Sequence, residues 1–126
     1  MELQKQLKFN EKGLIPAVIV DIDDNQVLTL CYMNEDALEK TLETGKIHLF
    51  RRSKNRLMIK GETSGHIQLL KEIYFDCAGN SLVIKVEQKV AACHEGYKSC
   101  YFRRFNQQTR EVEIAEKRIF DPKSVY

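Results

Sequence analysis

Apolar, largely β-branched residues run from Leu14 to Ile22 and again from Val27 to Met33, with the polar quartet Asp23-Asp24-Asn25-Gln26 between them. Two short apolar runs around turn-forming residues predict a β-hairpin. The period then changes. Asn34 stands where a helix N-cap would be, Glu35 and Asp36 fall in the first turn, Ala37, Leu38 and Leu42 make an apolar stripe, and Gly45 occupies the C-cap position. This is the clearest helix of the chain. Ile47 to Phe50 and Leu57 to Ile59 read as strands around a Ser53-Lys54-Asn55 turn, and Ile67 to Phe75 and Ser81 to Gln88 as strands around Ala78-Gly79-Asn80. Glu111 to Phe120 is ambiguous, because Val112, Ile114, Ile119 and Phe120 alternate at first and then do not. The tail from Asn106 to Tyr126 carries no motif and suits a final strand or helix. The expected fold is mainly β, α+β at the margin: a twisted, barrel-like sheet with one clear helix.

Composition narrows the class. A chain of 126 residues, 43% hydrophobic, can bury one core, so residues 1–126 are expected to form a single domain. Twenty Lys and Arg against 18 Asp and Glu is too even a balance for a whole-surface nucleic-acid binder. Met1-Glu2-Leu3-Gln4-Lys5 has no apolar stretch of signal-peptide length, and no run approaches the ~18 apolar residues of a membrane span. A cytoplasmic protein without membrane or nucleic-acid partners is expected. In a reducing compartment its four cysteines read more readily as metal ligands, reactive groups or packing residues than as disulfides.

Two of those cysteines bracket Cys93-His94-Glu95-Gly96-Tyr97-Lys98-Ser99-Cys100, and a third, Cys77, lies in the turn after Phe75. Three thiols would leave zinc one position short, and a vacancy of that kind admits a water that the metal acidifies. The spacing is not a common finger or ribbon pattern, so small buried cysteines, or a closed four-thiolate site using Cys31, stay open on these residues alone. Cys31 sits within an apolar run, where packing is the ordinary role. His94 is the natural proton carrier near neutral pH.

A second constellation is Lys60-Gly61-Glu62-Thr63-Ser64-Gly65-His66-Ile67-Gln68. Its glycines, hydroxyls and lysine can turn backbone N–H groups and charge toward a phosphate, although a polar hairpin loop has the same composition. Arg51, Arg52, Lys54, Arg56 and Lys60 place five cations within ten residues. If the turn permits, alternation would set Arg52, Lys54, Arg56 and Lys60 on one strand face, either as a charged protective edge or as a surface for a phosphorylated ligand.

Taken in order, Leu30-Cys31-Tyr32-Met33-Asn34-Glu35-Asp36-Ala37-Leu38, Thr44-Gly45, Arg52-Ser53-Lys54, Leu57, Lys60 to Gly65, Asp76-Cys77, Lys85-Val86-Glu87-Gln88 and Cys93-His94-x-Gly96-x-x-Ser99-Cys100 resemble the phosphoribosyl-AMP cyclohydrolase family of histidine biosynthesis. The resemblance runs from about Gly13 to Arg103. It implies an intertwined, mostly β homodimer with zinc at the subunit interface, held by Cys77 from one subunit and Cys93 and Cys100 from the other. It also implies hydrolysis of the N1–C6 bond of the adenine ring, with His94 carrying protons. The substrate's two phosphate monoesters would meet the loop Lys60, Gly61, Glu62, Thr63, Ser64 and Gly65 with Arg52, Lys54 and Arg103, while Glu62 and Gln68 could orient the purine or the water.

The departures matter as much. The family reads Asp-Cys-Asp-x-Asp around the first zinc ligand, with carboxylates serving a magnesium ion; this chain reads Asp76-Cys77-Ala78-Gly79-Asn80. Asp76 alone remains as a residual magnesium ligand, and one carboxylate plus a neutral amide suits that hard cation poorly. Met58 replaces a usual Trp and Arg51 a usual Ser. Two alternatives follow: a zinc hydrolase of this family acting on another purine nucleotide or N-heterocycle, and a non-catalytic nucleotide-binding relative whose zinc is structural.

Overall fold

The first apolar run folds as strand β1 (Ile15–Asp21) and the second as β2 (Val27–Met33), in a computed structural model that describes residues 2–60, 67–89, 96–119 and 123. Ile15, Ala17 and Ile19 point into the core, and the intervening Pro16 and Val18 are half-exposed on the opposite face. The strands pair antiparallel from Ile15↔Met33 to Val20↔Val27, with an irregularity between Ile19 and Val20. In the turn, Asp21 Oδ1 accepts from the Asp23 N–H at 2.8 Å and Asp24 Oδ1 from the Gln26 N–H at 3.0 Å. The turn and the last residue of β1 therefore satisfy these backbone N–H groups between them.

A five-residue helix, α1 (Glu2–Gln6), precedes this hairpin, and α2 (Glu35–Thr44) follows it. The caps of α2 are those the sequence predicts: Asn34 Oδ1 accepts from the Ala37 N–H at 2.8 Å, and Gly45, at φ 74°, donates to the Thr41 carbonyl at 2.9 Å. Ala37, Leu38 and Thr41 are buried. The predicted hairpins appear as β3 (His48–Arg51) with β4 (Arg56–Ile59) and β5 (Gln68–Phe75) with β6 (Leu82–Gln88). The ambiguous stretch resolves into β8 (Glu111–Ile114), paired with β7 (Arg103–Asn106).

Topology supplies what local pattern does not. The main sheet has the order β2-β1-β6-β5, and β1 and β6 run parallel from Ala17↔Leu82 to Asp21↔Val86. Ile15, Ile19, Leu28, Leu82, Ile84 and Val86 are essentially inaccessible at the centre of the core. Strands dominate as expected, but the sheet does not close into a barrel. β2 and β5 are its edges, while β3–β4 and β7–β8 are separate two-stranded sheets. The physical reason is that α2 and the segment leading into β3 cover the apolar face with Leu38 and Ile47, and among the described residues pairing with the β5 edge is limited to the isolated bridge Lys46↔Leu69, so the β3–β4 hairpin does not extend the ladder.

The α2 cap gives a direct check. Asn34→Ala removes the acceptor of the Ala37 N–H and is expected to lower unfolding free energy by about 1 kcal/mol, read from urea denaturation with an unchanged slope.

Candidate functional site

Cys100 is built into the sheet's margin by its neighbours. Its N–H donates to the Leu28 carbonyl at 2.7 Å, and the adjacent Ser99 hydroxyl donates to the Val27 carbonyl at 2.7 Å and accepts from the Tyr101 N–H at 2.9 Å. Lys98 Nζ lies 3.0 Å from Asp21 Oδ2 and donates to Asp24 Oδ2 at 2.7 Å. Tyr97 stacks on Phe102 with centroids 3.8 Å apart. The segment is thus clamped to the start of β2 and the β1–β2 turn, leaving the Cys100 thiol half-buried and free. Hydrogen bonding to Asp24 raises the Lys98 pKa; desolvation opposes this, and Asp21 adds to the rise. The same Lys98 bond, then the Gln26 N–H, holds Asp24 below the usual carboxylate range.

Cys77 sits in the β5–β6 turn as an exposed, free thiol. Asp76 Oδ1 accepts from the N–H groups of Asn80 at 2.8 Å and Ser81 at 3.3 Å, and the Gly79 N–H donates to the Asp76 carbonyl at 3.0 Å. Desolvation pushes the Asp76 carboxyl up, but the bonds from Asn80 and Ser81 outweigh it and hold the group below its ordinary value. Cys31 contrasts with both. Burial pushes its thiol up to about 12, against a small lowering by the Lys60 charge, so at neutral pH it remains protonated and is a poor metal ligand.

Cys77 and Cys100 lie at opposite ends of the main sheet. Cys77 precedes β6 at the end where β1 begins, whereas Cys100 bonds to the start of β2, at the end where β1 finishes. Across the sheet, three strand spacings separate the β2 and β5 edges, on the order of 14 Å. Sulfurs sharing one zinc at about 2.3 Å each lie about 4 Å apart. The described part of one chain does not bring these two thiols to one ion.

The candidate substrate residues divide in the same way. Arg52 and Lys54 are exposed in the β3–β4 turn, where the Lys54 N–H donates to the Arg51 carbonyl at 3.1 Å and Asn55 takes φ 48°. The expected single strand face of Arg52, Lys54, Arg56 and Lys60 is therefore corrected: the turn breaks the alternation, and only Arg56 belongs to a strand, β4. Arg52 lies over the Tyr32 ring at 3.9 Å, toward the Cys77 end, because Tyr32 pairs with Pro16 near the start of β1. Lys60 and Gln68 lie at the other end, where the Lys60 N–H bonds to Ile47 and Gln68 pairs with Gln88. Gln68 is buried and donates from Nε2 to Gln88 Oε1 at 2.6 Å; Gln88 in turn donates to the Lys89 carbonyl at 3.1 Å, an acceptor that fixes the direction of both amides. Gln68 Oε1 is left without a partner. Arg103 opens β7, exposed, with its guanidinium 5.1 Å from the Phe102 ring centroid. Gly61, Glu62, Thr63, Ser64, Gly65, Cys93 and His94 lie outside the described residues.

Sequence reasoning missed the Lys98 clamp. Its partners Asp21 and Asp24 are more than 70 residues away in the chain, and no local pattern joins them; Ser99, beside a candidate ligand, was the nearest signal.

Comparison with known proteins shows which family the sequence matches. The family model for phosphoribosyl-AMP cyclohydrolase matches residues 29–102. The phosphoribosyl-AMP cyclohydrolase of Desulforapulum autotrophicum is 54% identical over 123 residues, covering 96% of this chain and 98% of that protein. That of Pelotomaculum thermopropionicum is 48% identical over 120 residues, covering 95% and 92%. The histidine biosynthesis bifunctional protein HisIE of Thermoanaerobacter pseudethanolicus is 48% identical over 97% of this chain, which spans 56% of that relative's length.

The Lys98 clamp makes a pH-dependent contribution whose sign follows from its two partners. Asp24 is lowered, so its share is present above the ordinary value of 3.8 and is lost as pH falls through the lowered one; Lys98 is raised, so its share is present below 10.5 and is lost as pH rises through the raised one. Lys98→Met is expected to cost about 1 kcal/mol in urea unfolding at pH 7, limited by the exposure of Asp24, and less as pH falls through the lowered Asp24 value.

Proposed function

The chain belongs to the phosphoribosyl-AMP cyclohydrolase family, and from that premise we propose that it hydrolyses the N1–C6 bond of the adenine ring of phosphoribosyl-AMP, in histidine biosynthesis. Water oxygen bonds to C6, the N1–C6 bond breaks, and N1 receives a proton. The observation that carries this reading is the contrast among the cysteines. Cys77 and Cys100 are free and reachable on braced backbone, while Cys31 is buried and protonated. Together with Cys93 they form a soft donor set that fits zinc. Bound there, zinc would supply a water acidified toward neutrality.

The protein's own groups do the rest. His94 holds and delivers the proton, the Lys60–Gly65 loop with Arg52, Lys54 and Arg103 binds the two phosphate monoesters, and Glu62 and Gln68 orient the purine. The donor set does not fit a magnesium site of the family's kind: Ala78 offers no oxygen from its side chain, and Asp76 already serves the turn.

The same reading makes the protein a homodimer. Its support is the separation of Cys77 from Cys100 and an apolar row, Leu30, Val18, Val83 and Tyr74, which crosses all four strands on the face away from the core. Leu30, Val83 and Tyr74 are 43, 38 and 50% exposed, and a second copy would cover them. A cytoplasmic location belongs to the same proposal; no described helix is long and apolar enough to cross a membrane.

Incubation with phosphoribosyl-AMP, followed by ultraviolet absorbance, is expected to show ring opening at the same rate with and without added magnesium. Cys93→Ser and Cys100→Ser should lose zinc, and His94→Ala should keep zinc but lose on the order of 100-fold or more in turnover. No ring opening under either condition, or normal turnover by His94→Ala, contradicts the assignment.

A further inference from the structure

The turn that carries Cys77 is held from outside by the N-terminal segment. Gly79 is buried at φ 70°, its carbonyl accepts from the Lys8 N–H at 2.7 Å, and a Cβ placed on it would stand 2.3 Å from the Gln6 carbonyl oxygen. Backbone rather than a movable side chain fills that space, so no residue with a Cβ fits without displacing residues 6–8. Leu7, only 8% exposed, joins the main core, and Leu3 and Phe9 pack against it. One side of the segment is therefore anchored in the interior while its backbone grips the turn. From within, Asp76 binds the N–H groups of Asn80 and Ser81.

We propose that this strap, residues Gln6 to Lys8 seated on Gly79, positions Cys77 as a zinc ligand. Gly79 and Lys8 are positioning residues: neither touches zinc or substrate. An exposed thiol on a free hairpin turn would sample many directions, and zinc binding would then carry the entropy of ordering it. Gripped on both sides, the turn presents its thiol already ordered, as outer partners do for metal ligands elsewhere.

The inference rests on the zinc reading above, and its test separates the two. Lys8→Pro removes the one N–H that bonds Gly79 and leaves the turn's sequence intact; Gly79→Ala fills the contact. Both variants are expected to release zinc to a competing chelator about tenfold faster than the parent. Their cobalt-substituted forms should show shifted thiolate-to-cobalt bands, a signature that loss of stability alone does not move. In the metal-free proteins, the Asn80 amide should exchange with deuterium faster in both variants. If Lys8→Pro keeps the parent's far-ultraviolet circular dichroism and also its release rate, cobalt spectrum and Asn80 exchange, the strap is refuted. A parent without zinc refutes the zinc reading and, with it, the strap's role toward a ligand; faster Asn80 exchange would then support only the grip on the turn.

Discussion

Everything at the candidate site depends on the parallel pairing of β1 with β6. The other strand pairs of the main sheet, and both small sheets, are antiparallel hairpins closed by short turns or a brief connection. The β1–β6 ladder alone joins residues more than 60 positions apart, and the buried row of Ala17, Ile19, Leu82, Ile84 and Val86 holds it in register. A one-residue slip would turn these side chains out of the core, so the register is strongly specified. Because the two strands run in the same direction, the start of β6, with Cys77 just before it, lies at one end of the sheet. The end of β6, which leads toward Cys93, lies at the other, beside the β1–β2 turn on which Lys98, Ser99 and Cys100 dock.

That division gives the thiols different surroundings. Cys31 is sealed in the core and kept protonated. Cys100 is carried on backbone tied to β2, and Cys77 on a turn bound by Asp76 from within and by Lys8 from outside. Both accessible thiols therefore stand on braced main chain rather than on loose loops, which favours a defined metal geometry. The cations divide along the same line: Arg52 and Lys54 go with the Cys77 end, Lys60 with the Cys100 end. A substrate reached by both sets would lie between two copies of the chain.

Much of this was legible in the sequence because it is local. The β1–β2 hairpin, the capped α2 and the β5–β6 hairpin each announce themselves through period and turn chemistry within a dozen residues, and the buried state of Cys31 follows from its apolar run. What was not legible depends on distant partners. Helix α1 has too few residues to form alone; it persists because Leu7 enters the core and Lys8 bonds to Gly79. Strand β7 carries Arg103 and Arg104 and has no local strand pattern; it forms by pairing with β8, where Arg104 also bonds to Glu113 across the hairpin. The cation face depended on the Ser53-Lys54-Asn55 turn keeping the alternation, and its geometry, with Asn55 at φ 48°, does not; the barrel failed because edge closure is decided by what packs on the sheet.

The central claim is that the sheet puts Cys77 and Cys100 where one zinc needs both from different copies of the chain. Mixing Cys77→Ser with Cys100→Ser protein tests it most directly. Each variant alone should hold no catalytic zinc; after the subunits are dissociated together and reassociated, half the dimers are mixed and each has one intact site. Zinc and ring-opening activity should therefore return to about a quarter of the parent's sites. If mixing restores neither, although subunit exchange is demonstrated, both thiols serve the same chain and the account is wrong.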